Sequence, residues 1–142
     1  MNSPYYKLLP ETPGRLGKHT TMDSSSHPPK IGNLHFEFDG WLGDELVECF
    51  PCYFITERLS IALETAGLSG FMIKEAQISY SDTFHELYPD REMPSFKSIE
   101  IFGKIGDDFF IQKNYLVVSS KGLTMLRQNG RMKYCEVEEL ST

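Results

Sequence analysis

Long apolar runs are missing from this chain of 142 residues. No stretch nears the ~18 consecutive apolar residues that a membrane-spanning helix requires. The opening "MNSPYYKLLPETPG" lacks the basic start and apolar stretch of a secretion signal. Cysteine is scarce, and its count of three is odd, so no disulfide framework is expected and a reducing cytoplasm is the simplest compartment. Positive charge is also short. Fourteen Lys and Arg stand against twenty Asp and Glu, a net charge of −6. Phosphate neutralisation needs clustered cations, so nucleic acid is not an expected partner, nor is an anionic membrane surface. An acidic protein instead attracts basic proteins over long range.

Catalytic signatures are equally sparse. The glycines of "GLSG" (67–70) have no Lys-Ser/Thr after them and stand before a strand, so they do not form a phosphate loop. No G-x-S-x-G occurs. His19, His27, His35 and His85 make neither H-x-H nor H-E-x-x-H. His35 falls on the polar side of an alternating strand, where a surface position beside Glu37 is expected.

Aromatic residues are plentiful, with ten Phe, seven Tyr and one Trp making up 13% of the chain. With 40% hydrophobic residues they supply a packed core, and the length suits one domain over 1–142. A domain of this size buries roughly 68% of its unfolded surface and needs no disulfide staple.

The pattern of elements gives an α+β domain with a mixed or mostly antiparallel sheet and two or three helices. Tyr5 to Pro10 forms a strand. Glu11 to Lys30, rich in Gly, Pro and Ser, reads as a long loop. Leu34, Phe36 and Phe38 alternate with polar residues as a half-buried strand. Glu45 to Ile55 is extended and interrupted by Pro51, which suggests an edge or a bulge. Thr56 caps a helix bearing Leu59, Ala62, Leu63 and Ala66 at helical spacing, and Gly67 stops it. "GFMIKEAQISY" reads as one strand. Thr83 and Glu86 have capping-box spacing for a short helix ended by Pro89. Strands follow at Ser95–Gly103, Asp108–Gln112 and Tyr115–Ser119, then a helix over Ser120–Gln128 and a closing strand with Met132, Tyr134 and Val137 inward. "YFITERLSIAL" and "LVVSSKGLTML" share one design: apolar strand, hydroxyl cap, leucine-bearing helix.

The segment "HFEFDGWLGDELVECFPC" (35–52) concentrates the chemistry. It holds five carboxylates, no Lys or Arg, the only Trp and a C-x-x-C. A redox dithiol wants this motif at a helix N-terminus, whereas the helix starts about four residues later, and five carboxylates raise thiol pKa values. A zinc site wants four ligands, of which Cys135 and scattered histidines are the remaining candidates. Neither a metal nor a cofactor is expected, and Cys49 and Cys52 read first as ordinary core or surface residues. The carboxylates could work in pairs as acid and base, or splay on an exposed turn around Gly40 and Gly43, or converge on a face for a cationic partner.

"FPCYFITERLSIALETAGLSGFMIKEAQIS" resembles the middle of bacterial immunity proteins from polymorphic-toxin systems, in which a strand, a Ser/Thr, a leucine-bearing helix and "gl-x-G" lead into a strand. "YLVVSSKGLTMLRQ" resembles their C-terminal strand–helix unit, and "YYKLLPE" their start. The single C-x-x-C, followed by Tyr53, departs from the paired C-x-x-C-G of one related family, so no zinc site carries over. The resemblance implies a small non-enzymatic cytoplasmic protein that binds and neutralises a cognate toxin. A basic toxin would suit the charge, since complementarity speeds association. The expected contact surface is Glu37, Asp39, Trp41, Asp44, Glu45 and Glu48, with Trp41 either a hot spot or a core anchor. The alternative is a small enzyme or ligand-binding domain with the 11–30 loop as a lid over an apolar pocket, which would turn His19, His27 or His35 inward. An oligomerisation module with open sheet edges is a third possibility.

Overall fold

The computed structural model describes residues 4–26 and 30–140. Its main layers are two antiparallel sheets and one mixed sheet. The first sheet has the order β11 (Phe109–Gln112), β12 (Tyr115–Ser119), β1 (Tyr5–Leu9), β13 (Glu136–Leu140). The second runs β6 (Leu46–Cys49), β7 (Cys52–Thr56), β10 (Phe96–Ile101), β8 (Phe71–Lys74). The third holds β2 (Gly14–Leu16), β5 (His35–Phe38) and β9 (Gln77–Tyr80), with β5 and β9 parallel. A two-strand ribbon, β3 (Met22–Asp23) with β4 (Lys30–Ile31), lies outside them. The helices are α1 (Glu57–Thr65), α2 (Asp82–Leu87) and α3 (Ser120–Asn129). The domain is α+β and mostly antiparallel, as the sequence pattern implies.

The second sheet is the middle layer, and this explains the run "CYFIT", every residue of which is buried. Alternate side chains of a strand point to opposite faces. Tyr53 and Ile55 therefore enter a cluster with Leu59, Leu63, Leu116 and Leu126. Cys52 and Phe54 enter another with Phe36, Phe38, Phe84 and Phe96. A sheet covered on both faces reads as a continuous apolar run rather than an alternating one. Phe36 stacks on Phe54 at 4.5 Å, and Phe38 meets Phe96 at 5.0 Å. Each such aromatic contributes about 1.5–3 kcal/mol by burial alone.

The two strand–cap–helix units form as expected. Thr56 Oγ1 accepts the Leu59 amide, and Ser119 Oγ accepts the Gly122 amide. Both caps answer amides that a helix start leaves without partners. α1 and α3 then pack on one another, with Leu59, Leu63, Leu123 and Leu126 buried between them and the sheets. Gly67 takes φ +70°, the left-handed stop that its position after α1 requires.

Five local expectations differ. Residues 11–30 are not one loop: they contain β2 and β3, too short to announce themselves and made by pairing. Gly14 lies so close to β5 that a Cβ would sit 2.0 Å from the Glu37 carbonyl. Residues 27–29, His27 among them, lie outside the described residues. "GFMIKEAQISY" breaks at Glu75-Ala76 into strands of two different sheets. Pro51 sits in the β6–β7 hairpin turn, not within a strand. α2 is capped by Ser81, whose Oγ accepts the Phe84 amide, rather than by Thr83. The last strand starts only at Glu136, leaving Met132 half-buried and Tyr134 exposed in the approach to it.

That approach is held by Asp44, whose carboxylate is fully buried. It accepts the amides of Lys133 at 2.9 Å and Tyr134 at 2.7 Å. Asp44→Ala leaves both amides without their acceptor. Hydrogen bonds to charged groups contribute ~1.5–3 kcal/mol each, so unfolding in urea should show a loss of about 3 kcal/mol. An unchanged urea midpoint would mean that Asp44 does not hold this segment.

Candidate functional site

The acidic segment folds inward. Trp41 is only 9% exposed. Its indole N–H donates to the Asp44 carbonyl at 2.8 Å, and its ring meets Phe96 edge-on. The Arg91 guanidinium lies 4.6 Å above it and donates to the Trp41 carbonyl. Trp41 is therefore a core anchor. Glu45 is buried and accepts from Thr56 Oγ1, the Arg58 guanidinium and the Arg131 amide. Glu11, from the end of β1, accepts the amides of Leu42 and Asp44. Burial pushes its carboxyl above the usual range, while those two amides pull it back. The turn around Gly40 and Gly43 is thus not a splayed exposed loop. Only Leu42 stands out from it, at 52% exposure.

Of the six expected contact residues, Trp41, Asp44 and Glu45 have their polar groups committed to the interior. Glu37 and Asp39 share Arg15, at 2.9 and 3.4 Å, on the surface of the β2–β5 pair. Glu48 is half-buried on β6, and burial raises its pKa. The six do not converge on one open face. Arg15, Arg58, Arg91 and the amides of residues 131–134 supply the positive partners that the segment itself lacks. All of them are distant in sequence.

His35 is buried, not on a polar surface. Residues 17–20 clasp it: the Gly17 amide donates to its carbonyl at 2.7 Å, and the His19 amide to its Nδ1 at 3.3 Å. A Cβ on Gly17 would meet that ring at 2.2 Å, so only glycine lets the loop approach. With Nδ1 accepting, Nε2 carries the proton and donates to Ser79 Oγ at 2.7 Å. Ser79 in turn donates to Glu37 Oε2 at 3.3 Å. Nucleophilic catalysis needs the imidazole between hydroxyl and carboxylate, where it can take the hydroxyl proton. Here the serine stands in the middle and accepts a hydrogen bond from the imidazole, so the order differs from that of a triad, and the chain of bonds braces the parallel β5–β9 pair. The sequence carries a faint trace of it, a His two residues before a Glu on one strand. Ser79 is paired from 42 residues away.

Cys49 and Cys52 are direct partners across the β6–β7 hairpin, and both are free thiols. Burial raises both, Cys52 to about 12. A thiol held protonated is a poor nucleophile and a poor metal ligand. Among the described residues, no three His, Cys, Asp or Glu side chains converge to hold a metal ion, and no helix is long and apolar enough to cross a membrane.

A large concavity lies elsewhere. The third sheet covers only part of the second, and the uncovered part is the floor of a groove of about 1210 Å³. Cys52, Ser98, Glu100 and Lys74 lie along this floor. Ile31, Asn33, Leu34 and His19 form one wall. The β6–β7 turn, Phe102 and the β11–β12 hairpin form the other. Phe50 is 53% exposed, Phe102 59% and Ile111 40%, and all three border it. Periodicity could not reveal this patch, because Phe102 and Ile111 belong to apolar strand patterns that read as core.

Comparison with protein-family models, with curated proteins and with solved structures finds no match for the chain.

The His35 environment has a measurable consequence. Burial holds its pKa below the ordinary 6.5, helped by His19 and Lys18 and opposed by Glu37. The unfolded chain therefore takes up a proton near pH 6.5 that the folded chain refuses. Stability is full above that value and falls as pH drops toward the folded pKa. Urea midpoints compared at about pH 7.5 and about pH 5.5 should fall for the wild type and fall less for His35→Gln. Equal falls in the two proteins would show that His35 is not the group responsible.

Proposed function

We propose that this chain is a non-enzymatic binding protein that docks onto a cognate toxin and holds it inactive, the role implied by its resemblance to immunity proteins. The observation that carries the docking role is the groove border of Phe50, Phe102 and Ile111, three large apolar side chains open to solvent around one concavity. Contiguous apolar surface on a small domain marks a place where something binds. The net charge of −6 supports a basic partner, since it accelerates encounter without dictating which residues touch. The docking surface moves accordingly from the acidic segment, most of which is structural, to the groove. Glu37 and Asp39 remain at the surface of the β2–β5 pair, outside the lining of the groove.

A small-ligand site is the second possibility, favoured by the volume of the groove, about 1210 Å³, and by His19 on its wall. The first half of residues 11–30 cannot serve as a lid, because β2 and the Glu11–Val47 bridge fix it to the sheets. The segment that borders the groove is the later part, around His19, Lys30 and Ile31.

The test is co-expression with the product of each gene adjacent to this one, reading growth rescue and stoichiometric binding. Phe50→Asp and Phe102→Asp should each weaken binding by about 2 kcal/mol or more, as hot-spot truncations do, while the melting temperature stays put. Full affinity in both variants would remove the groove from the contact. Turnover of a small compound by the purified chain would remove the binding-protein role itself.

A further inference from the structure

Two free thiols face one another at the β6–β7 turn. Cys49 and Cys52 are the last pair in register before Phe50 and Pro51 reverse the chain. Directly opposite residues of an antiparallel pair have Cα atoms about 4.5–5.5 Å apart. A disulfide spans Cα separations of roughly 4.4–6.8 Å. Side chains opposite one another also leave the same face of the sheet. Cys52 accordingly lies in the phenylalanine cluster, and Cys49 packs against that cluster. Cys49 is near enough to help raise the Cys52 thiol. Cys135 packs against the leucine cluster on the other face, so the middle sheet separates it from both.

The two sulfurs are not equivalent. Cys49 is the more open, and the Leu16 amide of β2 bonds to it and partly offsets the rise that burial causes. Cys52 is buried on the floor of the groove, and burial pushes it up to about 12. A hydrogen bond to the charged form favours that form, so Cys49 is the better attacking sulfur. Thiols held protonated react slowly, which suits a modified pair rather than a catalytic dithiol. Slow formation does not disfavour the product. Strongly oxidising dithiols owe their potential to a stabilised reduced form. Burial withholds that stabilisation from the Cys52 thiolate, so the disulfide has no such competitor.

We propose that Cys49 and Cys52 are a redox-modification site, which a low-molecular-weight disulfide converts into an intramolecular disulfide that locks the β6–β7 turn beside the groove. Cys49 loses its proton to water and attacks one sulfur of the small disulfide, whose S–S bond breaks and releases a thiolate. Cys52 then loses its proton and attacks Cys49 Sγ, which releases the second thiolate. Two protein thiols are oxidised, one small disulfide is reduced to two small thiols, and the two protons pass to them through water. The test incubates the reduced full chain with oxidised glutathione. Its mass should fall by that of two hydrogen atoms, peptide mapping should join Cys49 to Cys52, and Cys135 should still alkylate. The equilibrium constant against glutathione should be about tenfold or more larger in the folded chain than in urea, because the fold already holds the ends of this short loop together. The oxidised chain should show a correspondingly higher urea midpoint. Cys52→Ala should stop at a glutathione adduct on Cys49. No loss of thiols, a glutathione adduct as the wild-type end product, Cys135 in the bond, or a constant no larger in the folded chain would overturn the proposal. So would an adduct in Cys52→Ala that spares Cys49. The wild-type measurements decide the matter even where Cys52→Ala does not fold, and none of them depends on the docking role above.

Discussion

Three carboxylates turned onto backbone amides hold this molecule together. Glu11 reaches residues 42 and 44, Asp44 reaches 133 and 134, and Glu45 reaches 131 as well as Thr56 and Arg58. A buried carboxylate is costly unless every oxygen has a donor. These three satisfy that demand with amides from loops that have no ladder of their own. The negative charge at residues 39–48 is thereby converted into a clasp among the end of β1, the start of α1 and the segment after α3. No buried side-chain nitrogen or oxygen among the described residues is left without a partner.

With the clasp closed, the middle sheet can be covered on both faces. The leucine cluster under α1 and α3 and the phenylalanine cluster under the third sheet share it as a wall. Coverage is uneven: the third sheet is only three strands wide, and Lys74 of β8 and Glu100 of β10 stay exposed. The groove is thus a by-product of sheet width. Its exposed rings stand where a wider sheet would have hidden them.

Much of this was legible in the order of residues. Strand, hydroxyl cap and paired leucines are local signals, and both such units formed where they were expected, at Thr56 and Ser119. So did the alternating strand at Phe36 and Phe38. What escaped depends on distance along the chain. β2 exists because β5 lies beside it, and β9 because a parallel pairing draws Ser79 to Glu37. An acidic run is ordinarily a solvated face, and nothing within residues 39–48 says that its donors wait at 91 and at 131–134. His35 misled for the same reason: strand alternation assigns it outward, but residues 17–20 fold over it. The groove border was hidden more deeply, because Phe102 and Ile111 are chemically indistinguishable from core residues until the sheets are in place.

β1 is the second strand from the edge of its sheet, yet both of its neighbours come from the far end of the chain: Tyr5 lies opposite Ser119 and Leu140. During synthesis β1 must wait for β12 and β13 before either of its flanks is covered. Pairings so remote form slowly, and a lone strand is sticky while it waits. Such a topology favours one cooperative closure of this sheet once β12 and β13 exist, rather than assembly piece by piece. Chaperone demand and the choice of expression temperature follow from where one five-residue strand happens to sit.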